Sequence, residues 1–151
     1  MNKIESLSYK TKFADMAHLV FAIDGKPLDV MLCELLSSDD YIGLVPSLSW
    51  LDRPQDKQFS LALLLSKDIE KVIAPVLVCP DDQDLWCTVI VSEVEVIEDC
   101  VVWHRLGLDQ SDYSWEPRIG DKVDWFDDVG PYKFNIKAYK KCLKMLENEP
   151  S

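Results

Sequence analysis

The chain has 151 residues, 48% of them hydrophobic and 28% charged, a globular balance that excludes wholesale disorder and fits one domain at 1–147 with a frayed tail at 148–151. Its net charge of −11 excludes a surface built for phosphate, because nucleic-acid contacts need clustered Lys and Arg. The longest uncharged run, Tyr41 to Leu51, falls far short of the roughly 20 apolar residues of a bilayer helix, and Asp15 and His18 interrupt the first apolar stretch, so neither a membrane span nor an export signal is expected.

In chain order, His18 to Ile23 is a short apolar stretch that ends at the turn pair Asp24-Gly25. Pro27 then suits the first turn of a helix, and Leu28, Met31, Leu32 and Leu35 follow helical spacing, so a core-facing helix of about ten residues is expected there. Tyr41 to Leu51, with Gly43 and Pro46, reads as strand or irregular chain, and the polar piece Arg53 to Gln58 as a flexible loop. Val72 to Val78 is a continuous apolar run, rich in β-branched residues and bounded by Lys71 and Cys79-Pro80, hence a buried strand. Thr88 to Ile97 and Cys100 to Leu106, joined by Glu98-Asp99, make a hairpin, with Val89, Val91, Glu93 and Glu95 on one face. Gly107 to Gly120 reads as an exposed loop, and Lys122 to Phe126 as one more strand. Ile136, Tyr139, Cys142, Leu143 and Leu146 line one side of a final amphipathic helix whose lysines occupy other faces. The expected architecture is α+β: a mostly antiparallel sheet packed against an early helix and a C-terminal amphipathic helix.

The charge is unevenly placed. Residues 79–128 hold 14 acids against Arg105, Arg118 and Lys122, a balance of −11, while the flanking segments cancel at −3 and +3. Trp86, Trp103, Tyr113, Trp115 and Trp125 are interleaved with those acids. Acids mixed with Trp and Tyr describe a surface suited to a basic protein partner, in which Asp109, Asp112, Glu116, Asp121 and Asp124 steer while Tyr113 and Trp115 anchor.

Motifs for chemistry are incomplete. The segment Cys79-Pro80-Asp81-Asp82-Gln83-Asp84-Leu85-Trp86-Cys87 offers oxygens and thiols, but it lacks the central Gly and terminal Glu of a calcium loop, and zinc thiols normally stand two to four residues apart with a second pair. No metal and no cofactor are expected. Cys100 and His104 share a strand face, yet a histidine beside Trp103 and Arg105 is more often structural than catalytic. The five cysteines, Cys33, Cys79, Cys87, Cys100 and Cys142, are odd in number and without tight pairing, which reads as reduced, buried thiols in cytoplasm.

From Ile73 to Leu108, through Val76-Leu77-Val78-Cys79-Pro80-Asp81-Asp82, Trp86-Cys87-Thr88-Val89-Ile90-Val91 and Trp103-His104-Arg105-Leu106-Gly107-Leu108, the chain resembles small bacterial immunity proteins. These accompany polymorphic or contact-dependent growth inhibition toxins. Trp125-Phe126 and the aromatic-bearing terminal helix fit the same picture. The resemblance implies a non-enzymatic cytoplasmic inhibitor of one cognate toxin domain, which is basic if it attacks RNA or DNA. The competing readings are an acidic adaptor or nucleic-acid mimic, and a small carboxylate- or metal-dependent enzyme.

Overall fold

A computed structural model describes residues 1–67, 70–111 and 119–149. Strands β1 (Ile4–Tyr9), β2 (His18–Ile23) and β3 (Lys26–Pro27) form a small antiparallel sheet in that order. Asp24 and Gly25 turn the chain between β2 and β3 with positive φ, 52° and 85°, the backbone their residue types favour. Helix α1 (Leu28–Leu36) starts directly after Pro27 and buries Leu28, Met31 and Leu32, whereas Leu35, expected on the same face, is half exposed.

The larger sheet contains β4 (Val45–Pro46), β5 (Val72–Val78), β6 (Val89–Ile97), β7 (Cys100–Asp109) and β8 (Val123–Trp125) in sequence order. A sixth strand, β9 (Tyr132–Asn135), pairs with the first part of β7, as β8 pairs with its last part. All named pairings are antiparallel. The β6–β7 pair is the expected hairpin, closed at Ile97↔Cys100. Helix α2 (Ser47–Trp50) falls in the stretch expected to be strand or irregular chain, to which β4 also belongs, and helix α3 (Pro54–Leu64) begins in the one expected to be a loop. The correction at Arg53 to Gln58 has a local cause: Pro54 sits in the first helical turn, where its missing N–H costs nothing, and burial of Asp56, Ser60 and Leu64 at four-residue spacing gives the helix a narrow inward stripe. Helix α4 (Ile136–Glu147) is capped by Asn135, whose Oδ1 accepts from the amides of Lys137 and Ala138 at 2.9 and 3.1 Å.

The main core draws on both sheets and on helices from α1 to α4, from Ile4 to Leu146. At its centre the fully buried Trp103 meets Phe21, Phe134 and Tyr139 edge-on, with ring centroids 5.3–6.2 Å apart. Its Nε1 donates to the Tyr139 hydroxyl at 3.3 Å, and that hydroxyl donates to the Leu64 carbonyl at 2.8 Å. A polar relay thus ties β7, α4 and the end of α3 inside apolar surroundings. A second cluster lies on the opposite face of the large sheet, where Val45, Val78, Val89 and Val91 pack with Leu51 and Leu85. Ile119, Val123 and Trp125 close over its side.

Candidate functional site

Strand alternation sends Ile90 and Val94 of β6 into the main core and Val89 and Val91 to the opposite face, which Glu93 and Glu95 share. The β6–β7 register slips between Ser92↔Leu106 and Val94↔Trp103, so β7 carries one extra residue there. That bulge lets two successive side chains reach the same face. His104 Nε2 lies 2.8 Å from Glu95 Oε1, and Arg105 donates to Glu93 Oε2 at 3.2 Å. The Arg105 guanidinium also covers the Trp125 ring at 4.0 Å from its centroid. The imidazole is therefore held by Glu95, while the Cys100 sulfur contacts the Val101 carbonyl oxygen at 4.0 Å.

Asp109 was expected in an exposed loop as a steering charge, and the structure places it otherwise. It ends β7 and is buried, with its Oδ1 accepting from Ser111 Oγ at 2.9 Å and from the Gly120 amide at 3.0 Å. Gln110 N donates to the Lys122 carbonyl at 2.7 Å, and Lys122 N donates to Ser111 Oγ at 3.0 Å. These bonds clamp the two legs of the segment between them, so Asp109 closes a loop base. Gly107, expected to open the loop, is instead inside the β7–β8 ladder opposite Trp125. A Cβ there would stand 2.7 Å from both the Asp124 carbonyl and Val123 Cγ1, and only glycine admits so close a strand. Asp121 and Asp124 are exposed beside and within β8, while Asp112, Tyr113, Trp115 and Glu116 lie outside the described residues. Of the tryptophans interleaved with those acids, Trp103 lies in the core and Trp125 is half-buried.

The turn between β5 and β6 brings together what the linear spacing separates. Val78 pairs with Val89, so the two legs at residues 79 and 87 face one another. Gln83 takes a φ of 53°, its amide donates to the Cys79 carbonyl at 3.1 Å, and its own carbonyl accepts from Asp52 N at 2.9 Å. Leu85 plugs into the second apolar cluster, and Asp84 Oδ1 accepts from Trp86 N at 2.9 Å. The sulfurs of Cys79 and Cys87 and a carboxylate oxygen of Asp82 come within 4.8 Å of one another. Burial pushes the Cys87 thiol up to about 11, with hydrogen bonding to Asp82 adding to the shift. The signal in the sequence was available: a strand before Cys79 and a strand after Cys87, once paired, make the thiols neighbours.

A groove of about 380 Å³ lies elsewhere, between β1 and α4, lined by Ile4, Ser6, Ala138, Lys141, Cys142 and Met145. None of the acids singled out in the sequence lines it. Among the described residues, no helix is long and apolar enough to cross a membrane. Comparison with protein-family models, with curated proteins and with solved structures returns no match.

Proposed function

We propose that the chain is a cytoplasmic binding protein that neutralises a basic protein domain, as an immunity protein does toward its cognate toxin. The observation that supports this reading is the uncompensated charge of residues 79–128. Asp81, Asp82, Glu98, Asp99, Asp121, Asp124, Asp127 and Asp128 are exposed, and none of them is held in an ion pair among the described residues. Arg105, by contrast, is engaged by Glu93 and Trp125.

Four of those acids, Asp121, Asp124, Asp127 and Asp128, run along and just beyond β8, which among the described residues pairs with β7 on one side alone. Trp125 lies half-buried among them. In this reading the acids accelerate encounter with a basic face, toward about 10⁸ M⁻¹s⁻¹ at low salt against about 10⁵–10⁶ for a neutral pair. Asp112 and Glu116 belong to the same steering set, and Tyr113 and Trp115 serve as anchors that slow dissociation.

The test is a search of the genes flanking this chain's for one encoding a basic toxin domain, then co-expression with that domain and mixing of the purified proteins. Restored growth, and an association rate that falls steeply as salt rises from about 20 to about 500 mM, are expected. Growth that stays arrested, or association indifferent to salt, contradicts the reading.

A further inference from the structure

We propose that Cys79, Asp82 and Cys87 form a site for one thiophilic divalent cation of the zinc class, bound through two sulfurs and one carboxylate oxygen, with the fourth tetrahedral position open to solvent. The geometry is near what such an ion needs. Bonds of about 2.3 Å to sulfur at tetrahedral angles put neighbouring ligand atoms roughly 3.7 Å apart, and here all three lie within 4.8 Å of one another. Closing that gap asks for side-chain rotation rather than a new backbone path. The eight-residue separation of the thiols, which argued against zinc in the linear sequence, is removed by the β5–β6 pairing.

The turn is also held in shape by groups that are not ligands. The Gln83 amide and carbonyl are fixed to Cys79 and Asp52, and Leu85 is buried below. Ligand side chains on a scaffold already folded need little further ordering to close on an ion. The local field favours a cation as well: Asp81 and Asp84 flank Asp82, and no Lys or Arg occurs between Lys71 and Arg105. Sulfur-rich donors with a single oxygen select zinc and its soft relatives over magnesium or calcium, which take six or more oxygens. Half-buried thiols and an exposed carboxylate leave room for a water, or for a side chain of another molecule, in the fourth position. The site stands or falls on the chain alone, whatever its partner.

The experiment titrates cobalt(II), as a spectroscopic substitute for zinc, into the whole chain kept reduced by a phosphine. The expected result is one cobalt per chain, with near-ultraviolet thiolate-to-cobalt charge-transfer absorption and the visible bands of tetrahedral cobalt, all displaced by zinc. Cys79→Ser and Cys87→Ser should each abolish the charge-transfer band, and Cys33→Ser and Cys100→Ser should leave it intact. Asp82→Asn, on an exposed side chain and therefore safe for folding, should weaken binding by about tenfold or more. Absence of the charge-transfer band in wild type overturns the proposal, as does a band that survives both cysteine substitutions or an affinity indifferent to Asp82→Asn. A Cys79–Cys87 disulfide forming in air from a chain that takes up no cobalt when reduced would replace the metal site with a redox pair.

Discussion

Tyr139 carries a hydroxyl into a wholly apolar setting, and burial drives its phenol well above the usual range. The group is tolerated because it is both acceptor, from Trp103 Nε1, and donor, to the Leu64 carbonyl. Tyr139→Phe keeps the ring and strands an indole N–H and a carbonyl in the core. It should lower stability by about 1–3 kcal/mol in urea unfolding, and an unchanged midpoint would show the relay to be idle. Asp109 makes the parallel case at the loop base. Asp109→Ala should cost about 1–3 kcal/mol and speed hydrogen exchange at the Gly120 and Lys122 amides, because Gly120 N loses its acceptor and Ser111 Oγ, which accepts from Lys122 N, loses the carboxylate that holds it. Unaltered exchange would mean that the loop base holds without it.

At the level of elements, α4 rests on its amphipathic stripe and on one cap. Asn135→Ala removes the acceptor for two first-turn amides and should cost about 1 kcal/mol in a thermal or urea melt; no loss would mean that water replaces the cap fully. The same element shows what a sequence makes legible. α4 and the β6–β7 hairpin were readable because a long periodic stripe and paired apolar runs survive without knowledge of their surroundings. β1 was not: in Ile-Glu-Ser-Leu-Ser-Tyr only Ile4 is buried, and the segment becomes a strand through its full register with β2 and its packing under α4. α3 was hidden for a related reason, since a polar helix with a narrow buried stripe looks like a loop until Leu64 is seen to end in the core. The candidate surface divides the same way. Composition located Asp121 and Asp124, but it could not tell Asp109, turned inward, from an exposed neighbour, because burial there depends on Ser111 and Gly120 folding back.

For the whole molecule, titration and long-range charge set separate expectations. Burial holds the Cys142 thiol up at about 12, against an ordinary 9.0. The folded chain thus keeps a proton that the unfolded chain releases, so this contribution is intact below pH 9 and is lost as pH rises from there toward the folded value. The slope is about 1.4 kcal/mol per pH unit for one such group. Denaturant melts across alkaline pH should show it, and Cys142→Ala should flatten it, with an equal slope in both chains counting against the assignment.

The excess of acid in residues 79–128 lies at the centre of the account, and it is tested most directly by kinetics. Asp121, Asp124, Asp127 and Asp128 are exposed, and amides replace them without changing side-chain size; asparagine also suits the φ of 60° at Asp128. Stopped-flow mixing of the fourfold Asn variant with the basic partner domain identified by co-expression, at low salt, should show slower association with a flatter salt dependence, while dissociation and melting temperature stay near those of the wild type. Association as fast and as salt-sensitive as in the wild type would contradict the claim that this acidic surface meets a basic partner.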